Sequence, residues 1–483
     1  MKLRQLLAGV NVIAANVNMD MQIASVAYDS RKVTEDSLFV AITGFATDGN
    51  KYIPMALEKG AKVIVTAQKQ PESVPYVLVE SDRLALAQLG ANFFDHPGNA
   101  MKLIGVTGTN GKTSTTLLLK HVLETTVGAK VGLMGTMENM VGQTVIPTER
   151  TTPESFELQA LLAQMRDAGC THAIMEVSSH AIALDRVAGL HYEVAAFTNL
   201  TEDHLDFHKT MEHYCDTKAE LFRRCNKAVA NRDDDWFDRI TENATCRLLT
   251  TSVKGGADLS AENLELLSDG ISFTALYNGE KVAVRLPIPG KFTVYNALSV
   301  LGCAIQLGIP LADAAAALAG AKGVKGRVEV VPTPGTDYTV LIDYAHTPDG
   351  LENVLSSVKG YCKGRLIAVF GCGGDRDPVK RPIMGKIGVD IADFAIITSD
   401  NPRTEDPGKI IQDILKGVNS AKNNYEIIEN RPKAIQHAMD IAEKNDIIVL
   451  AGKGHETFQE ICGVKHHLDE REVVAAYLKE KNG

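Results

Sequence analysis

The chain has 483 residues, an apolar fraction of 45%, a charged fraction of 23% and 40 glycines, which excludes disordered and fibrous classes and predicts a folded α/β protein of about two to four domains. A formal net charge of −10 excludes general nucleic-acid or membrane-surface binding, so a phosphorylated ligand has to be held by local clusters of basic groups. The eight cysteines (170, 215, 225, 246, 303, 362, 372 and 462) are scattered without a C-x-x-C pair, as reduced thiols are, and no stretch approaches the length of a membrane span.

Residues 1 to about 100 alternate short apolar runs (Leu38-Phe39-Val40-Ala41-Ile42 and Val63-Ile64-Val65) with polar turns and a helix-like stretch, Tyr52 to Lys59. They read as a small α/β unit that exits at Asp95-His96-Pro97-Gly98. From 101 to about 328 the candidate strands are 103–106, 130–134, 172–177 and 194–198, each expected to lead through a loop into a helix, as parallel-sheet units require. A hairpin turning at Asn278-Gly279 is expected over 270–288, then a helix over about 294–307. Lys322 to Arg327 is a glycine- and cation-rich connector. Beyond it, strands near 339–343, 366–370, 394–398, 426–428 and 446–450 predict a doubly wound sheet.

Gly108-Thr109-Asn110-Gly111-Lys112-Thr113 follows the apolar run Leu103-Ile104-Gly105-Val106 and precedes a helix-prone stretch, Leu117 to Glu124. Strand, glycine-rich turn, Lys-Thr and helix is the layout that cradles a nucleoside triphosphate. Backbone N–H groups converge on phosphate oxygens, Lys112 reaches the β/γ-phosphates, and the Thr113 hydroxyl can sit on Mg²⁺. One position departs from the usual P-loop: Val106 stands where a first glycine is expected.

Ligands of open parallel sheets bind beyond the carboxyl ends of the strands. Here five such ends are polar: Glu176 to His180, Thr198 to His204, Asp343 to His346, Ser399 to Arg403 and Gly452 to Glu456. That pattern predicts an active site assembled between two domains. Glu176 reads equally as a magnesium ligand or as a solvated strand-end carboxylate. His204, His208 and His213, with Asp203 and Asp206, lack the Glu of an HExxH helix and are expected to be surface or supporting histidines rather than a zinc site. Lys218, on an amphipathic stretch, reads as a solvated helix lysine. Arg376 and Arg403 sit past strand ends, where a guanidinium can hold a substrate carboxylate or simply bind loop carbonyls. Arg376 also occupies the third glycine position of a dinucleotide fingerprint, which argues against NAD.

GTNGKT at 108, TTPE at 151, EVSSH at 176, TNLTEDHLDFH at 198, YN at 295, GR at 326, DYAHTP at 343, GCGGDRD at 371, DNPR at 400 and GKGHE at 452 together closely resemble the Mur ligases, in order over essentially the whole chain. The resemblance implies a three-domain α/β architecture. Residues 1–100 would bind the UDP-sugar, 101–328 would form the central P-loop ATPase sheet, and 329–483 a Rossmann-like doubly wound sheet for the incoming amino acid. It implies an ADP-forming acid–amino-acid ligase of cytoplasmic peptidoglycan precursor synthesis, expected as a monomer without nucleic-acid or membrane partners. ATP would phosphorylate the D-glutamate carboxylate of UDP-MurNAc-L-Ala-D-Glu, and an amine would then displace phosphate.

Carried over position by position, Lys112, Glu176, His204 and Lys218 are implied as catalytic, with Thr113, Glu176, His204 and Lys218 around Mg²⁺. Lys218 would serve as a carbamate (N6-carboxylysine), which reverses its reading from composition. Gly108, Thr109, Asn110, Gly111, Lys112, Thr113, Asn296, Arg327, Asp343 and His346 match ATP positions, and Ser30, Thr151, Thr152, Ser178 and Arg186 match positions for the UDP-MurNAc-peptide. Asp400, Asn401, Pro402 and Arg403 are implied to select meso-diaminopimelate, with Arg376, Gly452 and Glu456 beside them. Diaminopimelate ends in a carboxylate that lysine lacks, and pairing it with Arg403 would contribute about 1.5–3 kcal/mol. Pro378, after GGDRD, is a small departure that leaves Arg376 intact. The alternatives are a lysine-adding ligase, a folylpolyglutamate synthetase, a nucleotide switch and a dinucleotide oxidoreductase. DNPR argues against the first, and the full N-terminal segment with Ser30 against the second.

Overall fold

In the computed structural model, which describes residues 1–44, 47–148, 150–267 and 270–482, the chain gathers into two units. One comprises Met1–Ala230, Asp234–Leu249 and Cys303–Gly308, the other Asn231–Asp233, Thr250–Gly302 and Ile309–Gly483.

The first unit holds a five-stranded sheet in the order Val12–Ala15, Tyr76–Val79, Ala61–Thr66, Ser37–Val40 and Ser25–Ala27, antiparallel only at the first pair. Side chains alternate across it: Leu38, Val40, Val63 and Val65 pack on one face, Phe39 and Ile64 on the other. The helix Asp82–Phe93, whose Ser81 cap accepts the Leu84 N–H at 3.2 Å, covers the first face with Ala85, Leu86 and Leu89. Its far side meets the helix Ser155–Asp167, where Phe93 and Phe94 lie 5.8 and 5.2 Å from the Phe156 ring.

The same unit carries a run of parallel strands in the order Cys225–Asn231, Tyr192–Phe197, Lys102–Thr107, His172–Glu176 and Val131–Met134. These strands are buried almost throughout, as parallel strands with both faces covered must be. The expectation that every strand leads into a helix fails once. Val131–Met134 continues into the antiparallel strands Asn139–Val141 and Thr144–Ile146 before the chain reaches the helix Ser155–Asp167.

In the second unit the predicted hairpin is Gly270–Tyr277 and Glu280–Leu286, joined at Asn278-Gly279, and Leu259–Leu267 adds an antiparallel neighbour. The expected helix is Lys291–Gln306, of which the residues up to Gly302 belong to this unit. The last sheet runs Glu329–Val331, Thr339–Asp343, Ile447–Ala451, Leu366–Phe370, Phe394–Ile397 and Tyr425–Ile427, parallel except at its first pair. It is doubly wound. Leu351, Leu355, Met384 and Ile414 from three helices pack on one face, Ile435, Met439 and Tyr477 from two others on the opposite one. Loops leaving Thr339–Asp343, Leu366–Phe370, Phe394–Ile397 and Ile447–Ala451 therefore emerge at a common carboxyl edge.

Candidate active site

The strand Lys102–Thr107 ends in a turn at Gly108, whose φ of 145° and whose contact with Thr198 leave no room for a side chain: a Cβ would fall 2.0 Å from Thr198 Oγ1. Val106 needs no such freedom. It is still strand, paired in register with Glu176, and its carbonyl accepts the Val177 N–H at 2.8 Å. This is why the loop dispenses with the usual first glycine. Gly111, also left-handed, caps the helix Lys112–Val127. The end of Tyr192–Phe197 straps the loop: Asn199 accepts from the Thr109 N–H (2.8 Å) and the Asn110 N–H (2.9 Å), while Thr198 Oγ1 donates to Asn110 O at 2.6 Å. Lys112 Nζ donates to Gly108 O and Thr109 O, both at 2.8 Å.

Glu176 is 1% exposed, so the solvated reading is excluded. Its Oε1 accepts from Thr113 Oγ1 and the Thr136 N–H, and its Oε2 from Thr136 Oγ1, all at 2.9 Å, which compensates the buried carboxylate. A serine- or threonine-type oxygen beside a carboxylate at a phosphate loop is the hard, sparse donor set that Mg²⁺ takes with phosphate and water. Among the described residues no three His, Cys, Asp or Glu side chains converge as a protein metal cage.

The histidines divide. His204, left-handed at φ 54°, keeps a half-exposed side chain with Nε2 3.3 Å from Asp203 Oδ2. Burial foremost, with Lys112 and Lys218, pushes its pKa down against the pull of Asp203. His208 is not a surface group. It is 1% exposed, its Nε2 lies 2.9 Å from Ser179 Oγ, and burial first, with His180, His213, Lys218 and His204 opposing a further proton, pushes its pKa down to about 4.

Lys218 corrects the reading from composition outright. On the helix Met211–Ala219 it belongs to the buried side with Tyr214, Cys215 and Thr217, is 1% exposed, and donates to Gly108 O at 3.0 Å. Nζ lies 4.6 Å from the centre of the Tyr214 ring. Burial first, and Lys112 second, hold its pKa well below the ordinary lysine value.

Of the positions matched to the muramoyl peptide, Thr152 bonds Glu176 itself, and Thr151, Ser178 and Arg186 lie one contact further out. Thr152 Oγ1 donates to Glu176 O at 2.8 Å and accepts the Ser178 N–H at 3.1 Å, and Arg186 Nη1 donates to Thr152 O at 3.2 Å. Thr136 Oγ1 lies 3.0 Å from Thr151 Oγ1. Ser30, buried at the start of the short helical turn Ser30–Lys32, lies 3.4 Å from Met55 Sδ and has no hydrogen bond to these groups among the described residues. Sequence reasoning missed Thr136 and Glu154. The Glu154 carboxylate lies 3.3 Å from Arg186 Nε and 3.6 Å from Arg83 Nη1. The pattern Thr-Thr-Pro-Glu contained the acidic end of that contact without its geometry.

In the second unit, Asp343 is buried and accepts the Val328 and Ala345 N–H groups at 2.8 Å each. The Arg327 guanidinium lies 4.8 Å from the Tyr344 ring centre, His346 Nδ1 lies 2.8 Å from Tyr344 O, and Asn296 is buried on the helix Lys291–Gln306. Arg403, left-handed at φ 52°, is held from two sides: Nη1 donates to Gly374 O at 2.7 Å, and Nε lies 3.5 Å from Glu460. Arg376 is exposed and bonds only Asp375 O, at 3.1 Å, among the described residues. Asn401 Nδ2 donates to Glu456 Oε2 at 2.9 Å, and a Cβ on Gly452 would fall 2.5 Å from Asp400 Oδ2. Asp400, Asn401, Pro402, Arg403, Gly452 and Glu456 thus follow the carboxyl ends of two strands of one sheet, Phe394–Ile397 and Ile447–Ala451, with Leu366–Phe370 between them.

A phosphate loop braced by a buried carboxylate, on a parallel sheet, defines a nucleotide-using α/β enzyme. Profiles described as the Mur ligase family catalytic domain, the Mur ligase middle domain and the Mur ligase glutamate ligase domain match residues 22–94, 106–304 and 326–454. A UDP-N-acetylmuramoyl-L-alanyl-D-glutamate–2,6-diaminopimelate ligase of Clostridium botulinum is 48% identical over 466 residues, 95% of this chain and 96% of the relative. A solved structure of an enzyme of that name superimposes with a TM-score of 0.73 at 31% identity, covering 100% of this chain and 99% of the other. A Thermotoga maritima MurF ligase in complex with ADP shares the fold, with a TM-score of 0.63 at 20% identity over 96% of this chain and 100% of the other. The chain belongs to the Mur ligase family.

The depressed pKa of His208 has a consequence for stability. The unfolded chain takes up this proton near the ordinary value of about 6.5, the folded one only near 4. Its contribution is therefore complete above pH about 6.5 and is lost as pH falls towards 4, on the order of 3 kcal/mol. Urea midpoints measured between pH 7.5 and 4.5 should fall steeply for the wild type and less steeply for His208→Asn. Parallel slopes would contradict the assignment.

Proposed function

We propose that this enzyme adds meso-2,6-diaminopimelate to UDP-N-acetylmuramoyl-L-Ala-D-Glu with cleavage of ATP to ADP and phosphate, in cytoplasmic peptidoglycan precursor synthesis. The observation that carries this reading is Glu176, whose carboxylate accepts from Thr113 of the triphosphate loop and from Thr136 beside Thr151, while its backbone carbonyl accepts from Thr152; it joins that loop to residues suited to a substrate carboxylate. The D-glutamate carboxylate attacks the γ-phosphorus, the bond to the β–γ bridging oxygen breaks, and ADP leaves. The amine of diaminopimelate then attacks the acyl phosphate, a tetrahedral intermediate forms, and phosphate leaves as the amide closes. Lys112 and the helix N-terminus at Gly111 oppose the charge that develops on the phosphates.

Thr113, Glu176 and His204 would hold Mg²⁺, which neutralises phosphate charge when bound. The displaced pKa of Lys218 favours the uncharged amine, the form that combines with CO₂. Nζ bonds to the carbon, one proton is released, and an anionic carbamate results. We assign Gly108 to Thr113, Asn296, Arg327, Asp343 and His346 to ATP, and Ser30, Thr151, Thr152, Ser178 and Arg186 to the muramoyl peptide. Residues 1–100, 101–328 and 329–483 are the corresponding domains of a monomer. Arg403 and Arg376 supply cations, and Glu456 an anion, for the distal carboxylate and ammonium of diaminopimelate.

ADP release should require both UDP-MurNAc-L-Ala-D-Glu and meso-diaminopimelate, with L-lysine a poor replacement. Arg403→Ala should raise KM for diaminopimelate about 10- to 100-fold and leave KM for ATP unchanged. ADP release without the muramoyl substrate, or a preference for lysine, contradicts the proposal. Lys218→Ala should be nearly inactive and partly restored by a short carboxylic acid; full activity of that variant removes the carbamate.

A further inference from the structure

Lys453 follows the strand Ile447–Ala451 and is 0% exposed, yet it carries a charge into the sheet's carboxyl edge. Its Nζ donates to Asn401 Oδ1 at 3.0 Å and to Glu456 Oε2 at 3.1 Å. Asn401 Nδ2 closes the triangle on Glu456 Oε2 at 2.9 Å, and the Glu460 N–H fixes the other end of the amide through Asn401 Oδ1 at 2.9 Å. The Phe458 ring centre stands 5.8 Å from Nζ. Three side chains therefore tie the loop after Phe394–Ile397 to the loop after Ile447–Ala451.

A buried ammonium is costly unless its partners are well placed, and a methionine would fill the same volume without that cost. The charge is explained by what it orients. Both protein bonds to the Glu456 carboxylate fall on Oε2, and Oε1 has no partner among the described residues, while the side chain stays 18% exposed. Two residues beyond Asn401 in the other loop, Arg403 is oriented by Gly374 O and Glu460. An anion and a cation so held fit a ligand terminus bearing an ammonium and a carboxylate on one carbon.

We propose that Lys453 is a positioning residue for amino-acid recognition. Shielded from the ligand itself, it sets the orientation of Glu456, and through it the grip on the ligand's distal ammonium. The inference rests on the diaminopimelate reading. Its test is a comparison of meso-diaminopimelate with 2-aminopimelate, which keeps the distal carboxylate and lacks the distal amine.

Lys453→Met should raise KM for diaminopimelate about 10-fold or more, with kcat, KM for ATP and KM for the muramoyl peptide little changed. The same substitution should leave KM for 2-aminopimelate unaltered and add nothing further in a Glu456→Gln background. An equal loss with both amino acids, a fall confined to kcat, or an additive loss in the double variant overturns the proposal. If Lys453→Met is insoluble, Lys453→Gln replaces it in the same comparison, and the same outcomes support or overturn the proposal. Wild-type enzyme that does not use diaminopimelate at all would instead reject the parent reading, so the two failures are distinct.

Discussion

One backbone oxygen bears much of the phosphate site. Gly108 O accepts from Lys112 Nζ at 2.8 Å and from Lys218 Nζ at 3.0 Å, so two amines converge on a single carbonyl. Like charges this close raise each other's free energy, and the burial of Lys218 removes the water that would screen them. Lys218, the wholly buried one, has its pKa driven down. The arrangement holds because the strand beneath is fixed on both sides: Val106 is in register with Glu176, and Thr107 with Phe197. It leaves Lys112 as the cation of the loop beside a buried amine of depressed basicity, a setting suited to the anionic oxygens of phosphate.

The sheet of the second unit handles charge differently. Arg431, 1% exposed, is bound by Glu470 at 2.8 Å and donates to Ala451 O at 2.8 Å, with Nη1 3.9 Å from Asp400. Lys453 does the same one layer out, against Asn401 and Glu456. Here each buried cation meets an anion, and the loops that carry Arg403 and Glu456 are set by bonds within the protein. Such a surface is prepared for a zwitterion rather than for a polyanion.

The local features were legible in the sequence. Gly-Lys-Thr after an apolar run and before a helix specifies its own geometry, and the four central strands of the last sheet fall within a residue or so of expectation because runs buried on both faces leave continuous apolar stretches. The edge strand Tyr425–Ile427 was legible too, but the three-residue edge strand Glu329–Val331 was not. The strands Asn139–Val141 and Thr144–Ile146 escaped because three-residue edge strands with mixed burial carry too little periodicity. Lys218 escaped for another reason: its partner lies 110 residues earlier in the chain, and only the tertiary fold makes its helix face a buried one. Thr136, Glu154 and Lys453 likewise owe their roles to contacts that no local pattern shows. Resemblance to a family restored Lys218, though it could not supply the contacts that give the residue its altered amine.

On the proposed mechanism a phosphoryl group moves onto a substrate carboxylate before an amine arrives. Enzyme turned over with ATP, meso-diaminopimelate and UDP-MurNAc-L-Ala-D-Glu carrying ¹⁸O in the D-glutamate carboxylates should release inorganic phosphate containing one ¹⁸O atom per molecule, since the carboxylate oxygen leaves with phosphorus. Phosphate free of the label, with amide product still formed, would contradict it.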